Sequence, residues 1–576
     1  MTRPRLLVFS ILLLSGLPGR DLRAQMRRFD VMISGGRIID GTGNPWRLGD
    51  VGISGDSIVA VGRLGRATAA RRIDATGKVV VPGFIDLHSH AGGPIYGPRG
   101  LRSPDPRRRA APNLVAQGIT TVVVNQDGRS VWPIAEQRRV LERLRFGPNA
   151  ILMVGHGTVR REVMHGDFRR AATPDEVERM RQRVRQGMEE GAFGMSAGLE
   201  YVPGRWSTTA EVAALVAEIV PFGGVYISHE RSEGADPMWY WPSQYDKRPP
   251  SLLDAVRETI EIGRQTGATV VASHIKAKGA DYWGTAATVI RLINQARVEG
   301  IAVYADQYPY NTTGSDGNTV LIPSWVWRSS DGRVARQQDF ARGLRDVLDD
   351  ATKARALRRD IAHEIQRRGG ASQVLVMDYV DSSYVGKSVG ALASARHITP
   401  VALALALQLE GDHSRRGGAR LRGFSLSEYD IEPYARQPWT ATATDGWIAL
   451  PEDGPTHPRV YGTYPRKIQH YALERGITSV EDAVRSASSL PAQILGLRDR
   501  GFIAEGFAAD VVVLDLGTLE DKSTFFDPHQ YPSGVDYVMV NGTFVVDRGE
   551  ITWVLPGMVI TPASAKERQQ ANTSGR

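Results

Sequence analysis

Among 576 residues the chain has no cysteine. Disulfides, thiolate nucleophiles, sulfur-ligated zinc sites and lipid attachment at a cysteine are therefore excluded, and any metal must be held by histidine and carboxylate. Long apolar runs are nearly as scarce. One, Leu6 to Leu17, follows Arg3 and Arg5 and precedes Leu22-Arg23-Ala24, a small-residue cleavage pattern. It is too short for an ordinary transmembrane helix and is expected to be a signal peptide, residues 1–24, exporting the protein to the periplasm or medium with no membrane attachment afterwards. Charge of either sign is not in large excess: 71 Lys+Arg face 63 Asp+Glu, a formal +8. Removing residues 1–24 takes away Arg3, Arg5, Arg20, Arg23 and Asp21, so the excess shrinks further. The Arg107-Arg108-Arg109 run is expected to be a solvated loop, and no nucleic-acid partner is expected. With 42% hydrophobic residues the chain can bury large cores and is not a disordered tail.

From Phe29 to Val81, short alternating segments such as Asp30 to Ser34 and Asp50 to Ser54 are separated by glycine-rich turns, and the same texture returns in Ala509 to Asp515 and Tyr537 to Val546. The two ends, residues 25–80 and 500–560, are expected to form one small β-sandwich domain. Between them apolar strands alternate with amphipathic helices, for example Thr173-Pro-Asp-Glu176 capping a helix over Val177 to Glu190. Eight buried strands are expected: Gly83 to His88, Thr120 to Val124, Ala150 to Val154, Phe193 to Ala197, Val225 to Ser228, Thr269 to Ser273, Ala302 to Ala305 and Thr440 to Thr444. The economical assembly is α/β, a (β/α)8 TIM-like barrel over residues 81–499 with its active site at the C-terminal strand ends. Residues 316–438 exceed any barrel connection. Ala351 to Arg367 and Val389 to Leu409 look helical, so an inserted helical lid is expected there. Residues 563–576 read as a flexible tail.

The first strand ends in His88-Ser-His90, and the two-residue period of a strand turns both imidazoles to one side. A metal pair is the natural reading. The other strand ends add Asp127, His229, His274 and Asp445, all competent to bind metal. The remaining histidines, His156, His165, His363, His397, His413, His457, His470 and His529, show no such placement and are expected at the surface or in packing, with His156 at the third strand end the least certain.

In these residues the chain resembles the amidohydrolase superfamily and, within it, the N-acyl-D-amino-acid deacylases (D-aminoacylases). The resemblance runs over most of the chain and is carried by Val81-Pro-Gly-Phe-Ile-Asp-Leu-His-Ser-His90, Gly155-His-Gly-Thr-Val-Arg160, Gly198-Leu-Glu-Tyr-Val-Pro-Gly204, Ser228-His-Glu-Arg-Ser-Glu233, Ser273-His-Ile-Lys276, Asp306-Gln-Tyr-Pro-Tyr310, Thr444-Asp-Gly446 and His457-Pro-Arg-Val-Tyr-Gly-Thr-Tyr-Pro-Arg466. It implies one or two Zn2+ ions held by His88, His90, His229 and His274, with Asp445 as metal ligand and catalytic acid/base. The bridging position departs from the family pattern. Where D-aminoacylases commonly carry Gly-Asn-Cys-Gly, this chain has Asn125-Gln-Asp127-Gly128, and a carboxylate makes a harder metal environment than a thiolate. Other superfamily members bridge with a carboxylated lysine on the fourth strand, but Phe193 to Glu200 contains no lysine, which leaves Asp127 as the bridge candidate. By resemblance Lys276, Tyr308, Ser315 and Arg459 hold the substrate carboxylate and Tyr201 lines the site, although the loop Tyr310 to Ser315 is one residue longer than usual. A guanidinium and an ammonium beside a metal centre suit that anion.

The implied reaction is hydrolysis of an N-acyl-D-amino acid to a carboxylate and a free D-amino acid, zinc lowering the pKa of its water from about 15.7 towards 7 and Asp445 moving the proton. Other substrates in view are D-residue dipeptides, other N-acyl amino acids and cyclic amides. Two readings from other classes compete. Gly194-Met-Ser196-Ala-Gly198 matches the nucleophile elbow of serine hydrolases formally, but Pro203 and Gly204 stand near where its helix should run. A non-catalytic scaffold of the same fold is the other. The sequence leaves the oligomeric state open.

Overall fold

A computed structural model describes residues 28–65, 67–92, 99–327 and 339–564. The expected leader, residues 1–24, and nearly all of the expected tail lie outside the described residues. Eight strands carry the middle of the chain: β1 (Phe84–Asp86), β2 (Ile119–Val124), β3 (Asn149–Leu152, continued by Val154–Gly155), β4 (Gly194–Gly198), β5 (Val225–His229), β6 (Thr269–Ala272), β7 (Val303–Gln307) and β8 (Thr440–Thr442). Neighbours in sequence pair in parallel, in two sheets that meet where β3 is interrupted at Met153. On the opposite side the ends of β1 and β8 bond directly. The Asp445 amide donates to the His88 carbonyl at 2.9 Å and the His90 amide to the Gly446 carbonyl at 2.7 Å.

Composition explains these strands. β2 reads Ile-Thr-Thr-Val-Val-Val and is buried throughout, the pattern of a strand covered on both faces. Alternate side chains enter different cores. Ile85, Val123, Ile151, Ile227, Val271 and Ala441 share one, while Val122, Val124, Leu152, Tyr226 and Val270 pack with helix residues such as Val184, Val256 and Ile293 in another. The helix Pro174–Glu189 begins at a capping box of Thr173 and Glu176.

Strands from both chain ends join through Val79–Pro82, which pairs antiparallel with Val511–Leu514 in one nine-stranded sheet. Val559–Ile560, which the sequence reading puts with this terminal unit, instead pairs in parallel with Ala150 and Ile151 of β3, where both its side chains are buried. The Arg107 to Arg109 run is not a solvated loop. It forms the short helix Pro106–Arg109, in which Arg108 binds Asp453 through both guanidinium nitrogens at 2.5 and 2.8 Å.

Between β7 and β8 the chain builds its own core around Leu344, Leu357, Ile361, Leu403 and Leu421. Helices Phe340–Leu348 and Ala351–Arg367 are followed by a strand, Val374–Asp378, paired antiparallel with Arg420–Gly423. The single helix expected over Val389 to Leu409 is two, Val389–Ala395 and Pro400–Glu410, bent by 90°. His397 adopts a left-handed backbone (φ 53), and Pro400 has no N–H with which to continue the earlier helix. Arg367 donates to the Tyr240 and Met238 carbonyls and Arg368 to Asp316 Oδ1 at 2.9 Å, fastening this insertion beside the β5 and β7 ends.

The β1–β8 seam is tied by Thr444, whose amide and hydroxyl donate to the two oxygens of fully buried Asp86 at 2.8 and 2.6 Å. Thr444→Val keeps the shape and leaves an Asp86 oxygen without its donor. A loss of about 1–3 kcal/mol is expected, read as a lower thermal unfolding midpoint; an unchanged midpoint contradicts this role.

Candidate active site

The candidate residues stand where strands end, and the strand period aims them. His229 continues the inward face of Val225 and Ile227, and Asp445 that of Ala441. Three of them sit on strained backbone, with φ of 58 at Asp127, 36 at His274 and 46 at Asp445. Such conformations cost about 1–3 kcal/mol each and persist where the surroundings over-determine them. For Asp127 the support is visible. The Ser196 hydroxyl donates to the Asn125 carbonyl at 2.5 Å and accepts from the Gly128 amide at 3.1 Å, and Asn125 Nδ2 donates to the Met153 carbonyl at 2.9 Å. Ser196, fully buried in that role, is no exposed nucleophile.

Asp127 is the hub. Its Oδ1 lies 3.5 Å from His88 Nε2, 3.6 Å from His229 Nδ1 and 3.7 Å from His274 Nε2, while Oδ2 lies 3.5 Å from His90 Nε2. Asp445 Oδ1 is 3.0 Å from His90 Nε2 and 3.7 Å from His88 Nε2. The His90–Asp445 contact is a hydrogen bond, but the separations of 3.5–3.7 Å are too long for good ones. They match donors around one cation, since ligands at 2.0–2.2 Å in a tetrahedron lie about 3.4 Å apart. Asp127 Oδ1 and His88 Nε2 are buried and have no hydrogen-bond partner among the described residues, a state native structures rarely leave unexplained. The donor set thus fits divalent metal, and two triads, His88–His90–Asp127 and Asp127–His229–His274, share the aspartate.

The far nitrogens of the imidazoles are also fixed. His88 Nδ1 contacts Ser273 Oγ at 2.6 Å, and that hydroxyl donates to Asp306 at 2.8 Å. His229 Nε2 meets Glu200 at 3.1 Å, and His274 Nδ1 meets Lys276 Nζ at 2.7 Å. For His88 and His229, whose far nitrogens face a hydroxyl that donates onward and a carboxylate, these contacts select the tautomer that presents a lone pair to a metal. For His274 the acceptor of that kind is Glu233 Oε1, 3.3 Å from Nδ1, and not the Lys276 ammonium, which can only donate. Burial pushes the His88 pKa well below its ordinary value, keeping it neutral. Burial opposes ionisation of Asp445 too, but the charge of Arg459, 2.8 Å from its Oδ2, and the contact with His90 hold its carboxyl well below the usual range.

A pocket of about 420 Å³ opens on this centre, a size suited to a small molecule. His90, Asp127, His229, His274 and Asp445 line it, and so do Tyr201, Lys276, Tyr308, Ser315 and Arg459; His88 lies behind, fully buried. The Tyr201 ring lies against His229, tilted by 36° with centroids 4.2 Å apart. Tyr308 OH is buried without a partner among the described residues, and burial raises its pKa well above 10, so it remains a proton donor. The Arg459 guanidinium lies 4.6 Å from the Tyr308 ring. Lys276 is already ion-paired with Glu233, and Ser315 Oγ accepts from Lys278 at 3.1 Å.

Several residues with roles here were not singled out from sequence. Glu200, Glu233, Ser273 and Asp306 sit inside the quoted motifs but carried no assignment. His457, read as a packing residue, accepts the Arg459 amide at Nδ1 (3.0 Å) and donates from Nε2 to the Thr312 carbonyl (3.1 Å), holding both pocket walls. His156 is not part of the centre; it is buried against Glu211 at 3.3 Å.

A family model described as amidohydrolase family matches residues 71–237 and 334–546. D-aminoacylase of Alcaligenes xylosoxydans xylosoxydans is 30% identical over 561 residues, covering 93% of this chain and 98% of its own. N-acyl-D-glutamate deacylase of the same organism is 30% identical, with 90% and 94% covered. A crystal structure of D-aminoacylase superposes with a TM-score of 0.68 at 30% identity, over 92% of this chain and 100% of that one. N-acyl-D-glutamate deacylase from Bordetella bronchiseptica, complexed with zinc and a phosphonate mimic of the tetrahedral intermediate, gives 0.69 at 27% identity over 93% and 100%. Motifs, fold and these likenesses agree: the chain belongs to the amidohydrolase family, among the N-acyl-D-amino-acid deacylases.

Proposed function

We propose that this protein hydrolyses N-acyl-D-amino acids to a carboxylate and a free D-amino acid, in a metal-dependent reaction at the β-strand ends. The observation that carries the reading is the buried, partnerless Asp127 Oδ1 ringed by three imidazole nitrogens at 3.5–3.7 Å. His88, His90, Asp445 and Asp127 would hold one divalent ion, Asp127, His229 and His274 a second, with zinc favoured by the relatives. A bound ion of this kind polarises the acyl carbonyl and acidifies water near neutral pH.

The chain's own residues do the rest. Asp445, held anionic by Arg459 and open to the pocket, takes the proton from the attacking water and returns it to the leaving nitrogen. Arg459, Tyr308 and Ser315 bind the α-carboxylate of the amino-acid half, with Tyr308 OH supplying the buried donor that lacks a partner. Lys276, paired with Glu233, adds positive field on the same wall. The finer architecture belongs to the same proposal: β1 to β8 close as a (β/α)8 barrel, supported by the seam bonds and the shared inner core, the terminal strands fold into a β-sandwich, and the insertion covers the pocket mouth. Export through residues 1–24 to the periplasm or medium is part of it too.

Chelation is expected to abolish turnover of N-acetyl-D-amino acids and zinc to restore it, while a serine-directed phosphonate leaves it intact. Turnover of L-enantiomers at equal rates would reject the stereochemical part. Asp445→Asn is expected to lower kcat by about 10²- to 10⁴-fold. For Tyr308→Phe the expected change is a KM about 10- to 100-fold higher with kcat little altered; an unchanged KM contradicts carboxylate binding there.

A further inference from the structure

Three cations line the pocket. Lys276 is paired with Glu233 and Arg459 with Asp445, but among the described residues Arg129 has no ion pair. Arg129 is half-buried, and its guanidinium carbon lies 5.8 Å from the Tyr201 ring centroid. A second guanidinium stands nearby. Arg161 donates to the Val202 carbonyl, and burial together with the like charge of Arg129 lowers its pKa. Two like charges gathered at a wall, with no carboxylate paired to either among the described residues, leave a positive potential that an anionic group would relieve.

The position of this charge says which part of a substrate would meet it. Arg129 follows β2 and Tyr201 follows β4, whereas Lys276, Tyr308, Ser315 and Arg459 follow β6, β7 and β8, across the mouth. In an N-acyl amino acid the α-carboxylate and the acyl chain lie on opposite sides of the scissile amide. With the carboxylate held over β6 to β8 and the amide at the Asp127 centre, the acyl chain runs over β2 to β4, along the Tyr201 ring towards Arg129. The amino-acid side chain, branching from the α-carbon, stays in the other half.

We propose that Arg129 is a specificity residue for acyl groups that themselves end in an anion, so that this protein prefers amino acids acylated by a dicarboxylic acid, of the N-succinyl-D-amino acid type. Hydrolysis adds one water across the amide and releases the dicarboxylic acid and the amino acid. The inference rests on the deacylase reading and deepens it. A guanidinium fork and a carboxylate pair through two hydrogen bonds, and a half-buried wall screens them less than open water does.

The test compares N-succinyl-D-leucine with N-acetyl-D-leucine on the zinc-loaded full chain. The wild type is expected to favour the succinyl conjugate about tenfold or more in kcat/KM, mainly through KM, with the preference shrinking as ionic strength rises. Arg129→Gln is expected to bring the ratio to about one, and Arg129→Lys to retain part of it; a ratio within one preparation is independent of the folded fraction. Equal use of both conjugates by the wild type, or an unchanged ratio in Arg129→Gln, overturns the inference and leaves the deacylase reading standing. Failure to hydrolyse either conjugate overturns both.

Discussion

A buried carboxylate surrounded by imidazoles is the interaction on which the rest of this structure depends. An isolated carboxylate inside a protein costs several kcal/mol, and Asp127 is nearly fully buried. Burial alone would raise its pKa, yet contacts with His229 and His274 and the charges around it hold it well below the ordinary value. The imidazoles are in turn held apart from it, at 3.5–3.7 Å. Such an arrangement is costly as a set of imperfect hydrogen bonds and economical as a ligand set.

The fold delivers that carboxylate by stacking small, local requirements. The parallel strands are covered on both faces, so the metal-competent side chains gather at their ends. The chain leaves those ends by turns that need left-handed backbone at Asp127, His274 and Asp445. Each turn is pinned from another strand: Ser196 of β4, two strands away, grips the Asn125–Gly128 turn, Asp306 of β7 accepts the His274 amide at 2.6 Å, and the His88 carbonyl accepts the Asp445 amide. Strain in one turn is therefore offset by bonds from its neighbours, which keeps a ligand set drawn from five strands in one register.

Much of this was legible in the sequence because it follows from local rules. The spacing of His88 and His90 puts both on one side of a strand, and each presents Nε2 to Asp127. Eight apolar runs mark the eight parallel strands within a residue or two of their observed ends. Other features depend on distant parts of the chain meeting, and nothing local signals them. Glu200 matters because Met238 and His229 reach it, its Oε1 accepting the Met238 amide at 2.6 Å. His457 matters because Thr312 and Arg459 do. The apolar run from Val389 to Leu409 reads as one helix, yet Pro400 starts a second one. Val559–Ile560 falls by sequence within the expected terminal unit, residues 500–560, and only tertiary pairing puts it beside β3.

The central claim is that Asp127 and the four histidines, with Asp445, form one divalent-cation centre. The most direct measurement is anomalous diffraction at the zinc edge from crystals of the zinc-saturated protein. The account predicts anomalous density between Asp127 and the imidazoles of His88, His90, His229 and His274, with ligand distances of about 2.0–2.2 Å. Zinc bound elsewhere, with no density at that point, would contradict it.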